Sequence, residues 1–328
     1  MRIFSGIQPT GRKHLGNYIG AIRHYVEGQD RGEAIYCVVD LHAVTVPYDP
    51  RELPSYVLDT AAMLLAAGLD PERCILFRQS DVREHSELAW LLGAVTAHGD
   101  LNRMHQFRDK SARQRELISA GLFFYPVLQA ADVLAYKADE VPVGDDQRQH
   151  IELMRDIAER FNERFGDTLT VPRHRIPEVG ARIMDLQLPE QKMSTTASSE
   201  QGTLYVLDDE RTIARKVRSA VTDSGAEVVR APDKPGISNL IEVLSVIRGV
   251  TPREIEREFD GGGYGGFKQA VSDEVARFLA PLRERYLELR PDEHRIERTL
   301  EAGAERARAI ASQTLAEVRS AMGVGAGL

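Results

Sequence analysis

The sequence predicts an α/β protein, a parallel sheet with helices on both faces, followed by a second, helical domain. Three observations carry this. Over the first half, short β-rich runs alternate with longer helical patterns, the arrangement of a parallel sheet built from crossover units. After about Arg182 the pattern changes to a polar stretch, Ser194 through Gly202, and then to mainly helical sequence. A chain of 328 residues, 42% hydrophobic and 28% charged, is long enough for one large domain and a smaller one.

The first strand is expected over Arg2–Ile7. It runs into Thr10-Gly11-Arg12-Lys13-His14-Leu15-Gly16-Asn17, where the chain turns from strand to helix. A small residue, a histidine and an amide at such a turn leave backbone N–H groups and the positive end of the helix dipole facing any bound phosphate. Further strands are expected over Ala34–Asp40, Cys74–Gln79 and Val141–Val143. Between the second and third, Leu53–Ala67 is apolar and rich in helix formers, and Asp49-Pro50 and Asp70-Pro71 bracket it as turns, so it reads as a crossover helix. Ligands of open α/β sheets gather outside the carboxyl ends of the strands. That places Gly6-Ile7-Gln8, Asp40-Leu41-His42 and Val143-Gly144-Asp145 around the expected site. The last helix shows an apolar stripe at three-to-four spacing through Ile296, Leu300, Ala304, Ala307, Ile310, Ala311, Leu315, Val318 and Met322. This stripe must pack on something, the core of its own chain or a dimer partner.

Composition narrows the function classes. No apolar run approaches the ~20 residues of a membrane span, and Met1-Arg2-Ile3-Phe4-Ser5-Gly6 lacks the apolar core of a signal peptide, so a cytoplasmic protein with no membrane partner is expected. Cys37 and Cys74 each stand in an apolar stretch, as buried small side chains do. A net charge of -8 argues against a protein that coats nucleic acid, and no DNA partner is expected. Two local basic runs remain, Arg103 to Arg115 and Arg211 to Arg218, each readable as a solvated helix face or as an RNA contact. Gly261-Gly262-Gly263-Tyr264-Gly265-Gly266 satisfies the dinucleotide-binding pattern in letters only, because it follows a charged helical stretch rather than a buried strand. Glu84-His85-Ser86-Glu87 imitates a metal motif but has no second histidine one turn away, and no tightly bound metal is expected.

Two further features carry chemistry. Lys192-Met193-Ser194-Thr195-Thr196, near the middle of the chain, supplies a mobile cation that would close a phosphate site begun at His14–Asn17. Tyr125, Gln129 and Asp132 stand at i, i+4 and i+7 and share one face of an otherwise apolar helix. Polar groups emerging there are costly unless paired, so they either satisfy one another in the core or receive a ligand.

Phe4-Ser5-Gly6-Ile7-Gln8-Pro9-Thr10-Gly11, His14-Leu15-Gly16-Asn17, Tyr125-Pro126-Val127-Leu128-Gln129-Ala130-Ala131-Asp132, Val141-Pro142-Val143-Gly144-Asp145-Asp146-Gln147 and Gly180-Ala181-Arg182-Ile183-Met184 closely resemble, in order, the bacterial tryptophanyl-tRNA synthetases. These are class I aminoacyl-tRNA synthetases. Their two signatures, a His-Ile-Gly-His-like turn and a Lys-Met-Ser-Lys-Ser-like loop, read here as His14–Asn17 and Lys192–Thr196.

The resemblance implies a Rossmann-like catalytic domain over residues 1–190. Residues 191–328 would form the Lys-Met-Ser loop and a helical domain on the anticodon side of tRNA, with the last helix packing back on the catalytic domain. It implies that L-tryptophan and ATP, with Mg2+, give tryptophanyl-adenylate, and that the tryptophan passes to tRNA(Trp) on a homodimer. Gln8, Pro9 and Thr10 would border ATP, His14 and Asn17 would contact it, and Gly16 would let adenine approach the backbone. Gly144, Asp145, Asp146 and Gln147 would lie near the ribose and amino acid, with Ile183 against adenine. Lys192 and Lys110 would balance charge on the leaving pyrophosphate, and Met193, Ser194, Thr195 and Thr196 complete the ATP side. For the amino acid, Tyr125, Gln129 and Gln147 would hold the α-amino group and Asp132 would accept the indole N–H, while Phe4, His42, Val141 and Val143 wall the ring.

Tyrosyl enzymes carry a similar Tyr-x-x-x-Gln-x-x-Asp helix. Phe4, where those enzymes typically place a tyrosine, favours tryptophan. Two positions depart from the family pattern: Gln129 stands where many relatives have methionine, and Thr195 replaces the second lysine of the mobile loop. A tyrosine-specific relative and a slower, specialised paralogue with a regulatory role are the alternatives.

Overall fold

The computed structural model describes residues 1–104, 119–144, 147–175, 182–194 and 199–325. They fall into two compact units, one of Met1–Thr10, His24–Pro177 and Leu289–Leu328, the other of Gly11–Arg23 and Glu178–Glu288.

The first unit is built on β1 (Arg2–Ile7), β2 (Glu33–Val38), β3 (Cys74–Arg78), β4 (Glu140–Pro142) and β5 (Arg173–Arg175). They lie in the order β3-β2-β1-β4-β5, every neighbouring pair parallel. The α/β class with a parallel sheet is therefore as the alternation of the sequence predicts. Ala34 to Val38 are all buried, which is why β2 reads as an unbroken apolar run rather than an alternating one. β5 escaped the sequence reading because its three residues are polar and exposed, as an edge strand allows.

The strands end earlier than their apolar patterns suggest. β2 stops at Val38 and Asp40–Ala43 turns into a short helix, while β3 stops at Arg78 and Gln79–Asp81 forms a 3-10 turn. The polar residues at these ends are thereby freed from the ladder to serve the site. Leu53–Ala67 forms the expected crossover helix, closed by Gly68 at φ 115°, a left-handed cap that glycine adopts without strain.

The helix Glu293–Met322 returns to this unit and packs against β3. The approach is close at Gly303, where a Cβ would stand 1.8 Å from the Leu76 carbonyl oxygen. Ile296, Leu300, Ala304, Ala307, Ala311, Leu315 and Val318 of the anticipated stripe are buried, with Gly303 and Thr314 alongside them. Arg306 reaches out to donate to the Pro71 and Cys74 carbonyls. Cys37 and Cys74 are both unpaired thiols in the core.

The second unit holds Leu15–Asn17, a π-helical turn over Tyr18–Ile22, and the helices Glu210–Arg218 and Pro235–Arg248, followed by Pro252–Glu258 and Gly263–Leu289, which ends at the unit boundary. Residues 182–190, assigned to the first domain by sequence, cluster with this unit. The glycine run 261–266 spans a turn and the first residues of a helix, with Gly261 and Gly263 at positive φ. One correction concerns the basic run Arg211 to Arg218. Lys216 is not part of a surface footprint: it is fully buried, and its ammonium donates to Asp208 Oδ2 at 2.7 Å and to the Thr203 carbonyl at 2.8 Å. Arg211, Arg215 and Arg218 remain exposed. No helix among the described residues is long and apolar enough to cross a membrane.

Candidate active site

In the second unit, His14 caps the helix that begins at Leu15. Its Nδ1 accepts the Asn17 backbone N–H at 3.3 Å, and Asn17 Oδ1 accepts the His14 N–H at 3.1 Å, a reciprocal capping box. With Nδ1 used as an acceptor, the ring proton sits on Nε2. Burial, reinforced by the nearby charges of Lys192 and Lys13, lowers the His14 pKa to about 4. The ring is neutral at pH 7 and presents an N–H donor. Gly16 lies beneath it, against Ile183.

One strip of backbone holds this turn and a second lies near it. On one side the Leu15 N–H donates to the Leu204 carbonyl and the Val206 N–H donates to the Lys13 carbonyl, at 2.8 and 3.0 Å. On the other, Met184 and Lys192 form an antiparallel bridge and Met193 N–H donates to Ile183 O. Met193 is buried and anchors its segment, while Lys192 is exposed. The His14–Asn17 signature, Ile183 and Lys192 are thus brought together in one unit. Arg12, adjacent to the turn, stacks 3.6 Å over the Tyr205 ring and pairs with Glu200 and Asp208.

In the first unit, the polar groups at the carboxyl ends of β2 and β3 converge on Asp132. The helix Ala120–Leu134, capped by Ser119, presents Tyr125, Gln129 and Asp132 on one face as the spacing predicts. The Tyr125 hydroxyl meets His150 Nε2 at 2.8 Å, and Gln129 is half-buried. Asp132, 2% exposed, accepts from three other elements. Its Oδ2 meets His42 Nε2 at 2.8 Å; its Oδ1 meets Gln79 Nε2 at 2.7 Å and His85 Nδ1 at 2.6 Å.

Each donor is oriented in turn. Gln79 Oε1 accepts the Leu41 N–H at 3.0 Å, which fixes the amide with its nitrogen toward Asp132. His85 Nε2 lies 2.6 Å from the Tyr136 hydroxyl. Burial raises that phenol far above its ordinary pKa, so it remains protonated and donates, leaving the His85 proton on Nδ1. Burial by itself pushes the Asp132 carboxyl up, yet the hydrogen bonds it accepts from His42 and His85 outweigh it and hold the group below the usual carboxylate range.

Around this acid the walls are apolar: Phe4 and Val141 are buried and Val143 packs against the same core. Phe4 stacks on Tyr136 with ring centroids 5.3 Å apart. His42, expected as a wall, also bonds the acid, and its ring stands edge-on to Tyr125. Gln147 begins the helix Arg148–Phe165, and its N–H closes a turn onto the Gly144 carbonyl. Gln8, Pro9 and Thr10 follow β1, with Pro9 buried and the other two exposed. Lys110, Asp145, Asp146, Thr195 and Thr196 lie outside the described residues, as do residues 105–115 of the first basic run.

Sequence reasoning missed Gln79, His85, Tyr136 and His150. One signal was available, since Tyr136 stands four residues after Asp132, a spacing that would put both on one face of a helix, although the helix ends at Leu134 and Tyr136 lies in the turn beyond it. Among the described residues no three His, Cys, Asp or Glu side chains are arranged to hold a metal.

Comparison with known proteins agrees with this arrangement. A family model described as tRNA synthetases class I (W and Y) matches residues 1–280. Tryptophan–tRNA ligase 2 of Streptomyces avermitilis is 51% identical over 326 residues, covering 98% of this chain and 96% of the relative. The tryptophan–tRNA ligase of Caldanaerobacter subterraneus subsp. tengcongensis is 47% identical over 324 residues, 98% of each. Among solved structures, tryptophanyl-tRNA synthetase from Campylobacter jejuni, complexed with ADP and tryptophan, superposes with a TM-score of 0.85 at 34% identity, over 99% of this chain and 100% of that one. The Mycoplasma pneumoniae enzyme gives 0.90 at 34% identity, over 99% and 98%. The chain belongs to the class I tRNA synthetases of the tryptophan and tyrosine group and, within them, to the bacterial tryptophanyl-tRNA synthetases.

Proposed function

We propose that the chain is a tryptophan–tRNA ligase, which activates L-tryptophan with ATP and transfers it to tRNA(Trp). The observation that carries the amino-acid side is Asp132, a buried, ionised carboxylate among apolar walls at the carboxyl ends of the strands. A site built to accept an N–H rejects side chains that lack one, because the acceptor is then left unpaired.

In the first step an oxygen of the tryptophan carboxylate attacks the α-phosphorus of ATP. The bond to the leaving pyrophosphate breaks, and tryptophanyl-adenylate forms. Mg2+ enters with the triphosphate as part of the substrate. In the second step a hydroxyl of the terminal adenosine of tRNA attacks the activated carbonyl, and AMP leaves. Neither step needs a covalent enzyme intermediate, so the protein contributes positioning and charge.

Tyr125, Gln129 and Gln147 hold the α-amino group, Asp132 takes the indole N–H, and Phe4, His42, Val141 and Val143 enclose the ring. Gln8, Pro9, Thr10 and Gly144 border ATP with Asp145 and Asp146. The neutral His14 donates Nε2–H and Asn17 supports it, Gly16 and Ile183 receive adenine, and Lys192, Met193, Ser194, Thr195 and Thr196 cover the phosphates. Lys192 and Lys110 follow the departing charge; a lysine suits this because its charge rides on a flexible stem.

The sheet-bearing unit and the two signature segments of the second unit serve the reaction, and the helices from Glu210 to Leu289 face the anticodon side of tRNA, with Arg211, Arg215 and Arg218 as exposed cations. The protein works in the cytoplasm as a homodimer.

ATP–pyrophosphate exchange without tRNA, run with tryptophan, with tyrosine and with no amino acid, tests the reading. Exchange with tryptophan alone supports it. Exchange driven by tyrosine reassigns the substrate, and none with either amino acid points to a regulatory paralogue.

A further inference from the structure

His85 takes no part in the chemistry above, yet it is fully buried and hydrogen-bonded at both ring nitrogens. A carboxylate offers about four acceptor positions. Among the described residues His42, Gln79 and His85 fill three of those on Asp132. Oδ1 accepts from two donors, Gln79 and His85, whereas among the described residues Oδ2 accepts only from His42.

We propose that His85, fixed by the Tyr136 hydroxyl, is a specificity-positioning residue: it saturates Oδ1 of Asp132 and leaves one acceptor position, on Oδ2, for a single ring N–H of the amino acid. This rests on the assignment of Asp132 to the indole N–H. The chain of donors runs one way, from the Tyr136 O–H to His85 Nε2 and from His85 Nδ1–H to Asp132 Oδ1, so no proton along it faces the substrate. Asp132 is thereby restricted to accepting. Without His85 the acid has two empty acceptor positions in a dry site and takes up a proton or a water molecule. A protonated or hydrated Asp132 offers a donor as well as an acceptor, and its rejection of a ring without N–H weakens. The packing of the histidine does not depend on this role alone: its ring also stands edge-on to Phe77 and Tyr136, with centroids 5.7 and 5.5 Å away. The test must therefore separate specificity from folding.

Pyrophosphate exchange is measured with tryptophan and with the analogue in which sulfur replaces the ring N–H, using the full-length enzyme and His85→Leu, His85→Gln, Tyr136→Phe and Asp132→Asn. Wild type should prefer tryptophan by on the order of 10^4-fold in kcat/KM. His85→Leu should reduce that preference at least about 10-fold, through KM for tryptophan more than through kcat. His85→Gln, whose amide can donate to Asp132 and accept from Tyr136, should restore it. Tyr136→Phe keeps the ring stacked on Phe4 and removes only the orienting hydroxyl, so it should lower the preference in the same direction, and it remains informative if His85→Leu does not fold. A preference unchanged in folded His85→Leu, or in Tyr136→Phe when the leucine variant does not fold, overturns the proposal, provided Asp132→Asn loses it. If Asp132→Asn also retains the preference, the assignment of Asp132 itself fails.

Discussion

The His14 imidazole lies over the α-carbon of Gly16, where a Cβ would stand 3.0 Å from its Cε1 and 3.1 Å from its Nδ1, with Ile183 Cβ 3.6 Å away on the other side. Alanine at position 16 therefore displaces the ring from its cap on Asn17. Gly16→Ala is expected to lower kcat/KM for ATP by on the order of 10- to 100-fold, the scale of a misplaced binding group, and to leave tryptophan affinity unchanged. Pyrophosphate exchange with ATP varied, beside equilibrium dialysis of tryptophan, reads both.

The pKa of His14, about 4 against an ordinary 6.5, makes a pH prediction with a definite sign. The folded state disfavours the imidazolium, so this group's share of stability is complete above the unfolded value of 6.5. It is lost progressively as pH falls toward 4 and loses nothing more below that. NMR of the ring protons should show His14 titrating near 4. Lys192→Ala should raise the midpoint without returning it to 6.5, because burial is the larger cause.

Lys216 joins Asp208 and the Thr203 carbonyl just beyond the Lys-Met-Ser segment. Removing one member of a buried ion pair costs about 3 to 5 kcal/mol, since the other charge is left behind. Arg12 still contacts Asp208, which places Lys216→Met at the lower end, about 3 kcal/mol. Hydrogen exchange should show the Leu15 and Val206 amides losing protection first, because Leu204, which accepts from Leu15, and Val206 itself lie in the segment that Lys216 anchors.

Thr195 stands where the family signature has a lysine. Restoring it, Thr195→Lys, adds a positive charge to the loop proposed to cover the triphosphate and should speed single-turnover adenylate formation, while Lys192→Ala should slow that step far more than it weakens tryptophan binding. An unchanged or slower rate in Thr195→Lys would show that the threonine costs the enzyme nothing.

The fold was legible where apolar runs are long and bounded by turn residues. Arg2–Ile7 and Leu53–Ala67 form as those runs suggest, and each buries a continuous stretch, Ile3 to Ser5 in the strand and most of Val57 to Ala66 in the helix. β5 was not, since Arg173, His174 and Arg175 carry no apolar signal and take strand form only because β4 offers an edge. The site was legible at Asp132, a carboxylate on an apolar helix face. His85 drew notice only within a metal-like run that was set aside, and its role was not seen: its partner is an acid 47 residues away, and pairing over that distance is decided by tertiary packing. Gln79 was counted as the end of a strand, although its side chain joins Leu41 to Asp132. The run from Arg211 to Arg218 shows the same limit, because charge along a sequence does not reveal which ammonium turns inward.

The backbone pairing of Lys13 and Leu15 with Leu204 and Val206 sets where this enzyme can be divided. A gene fragment ending at residue 190 would encode the first signature without the segment that clasps it, and its His14 would lose the enclosure that keeps it neutral. Recombining the front half of one such enzyme with the back half of another therefore exchanges half of a clasp. Chimeras should tolerate a junction near residue 288, between the units, better than one at the apparent end of the nucleotide-binding half.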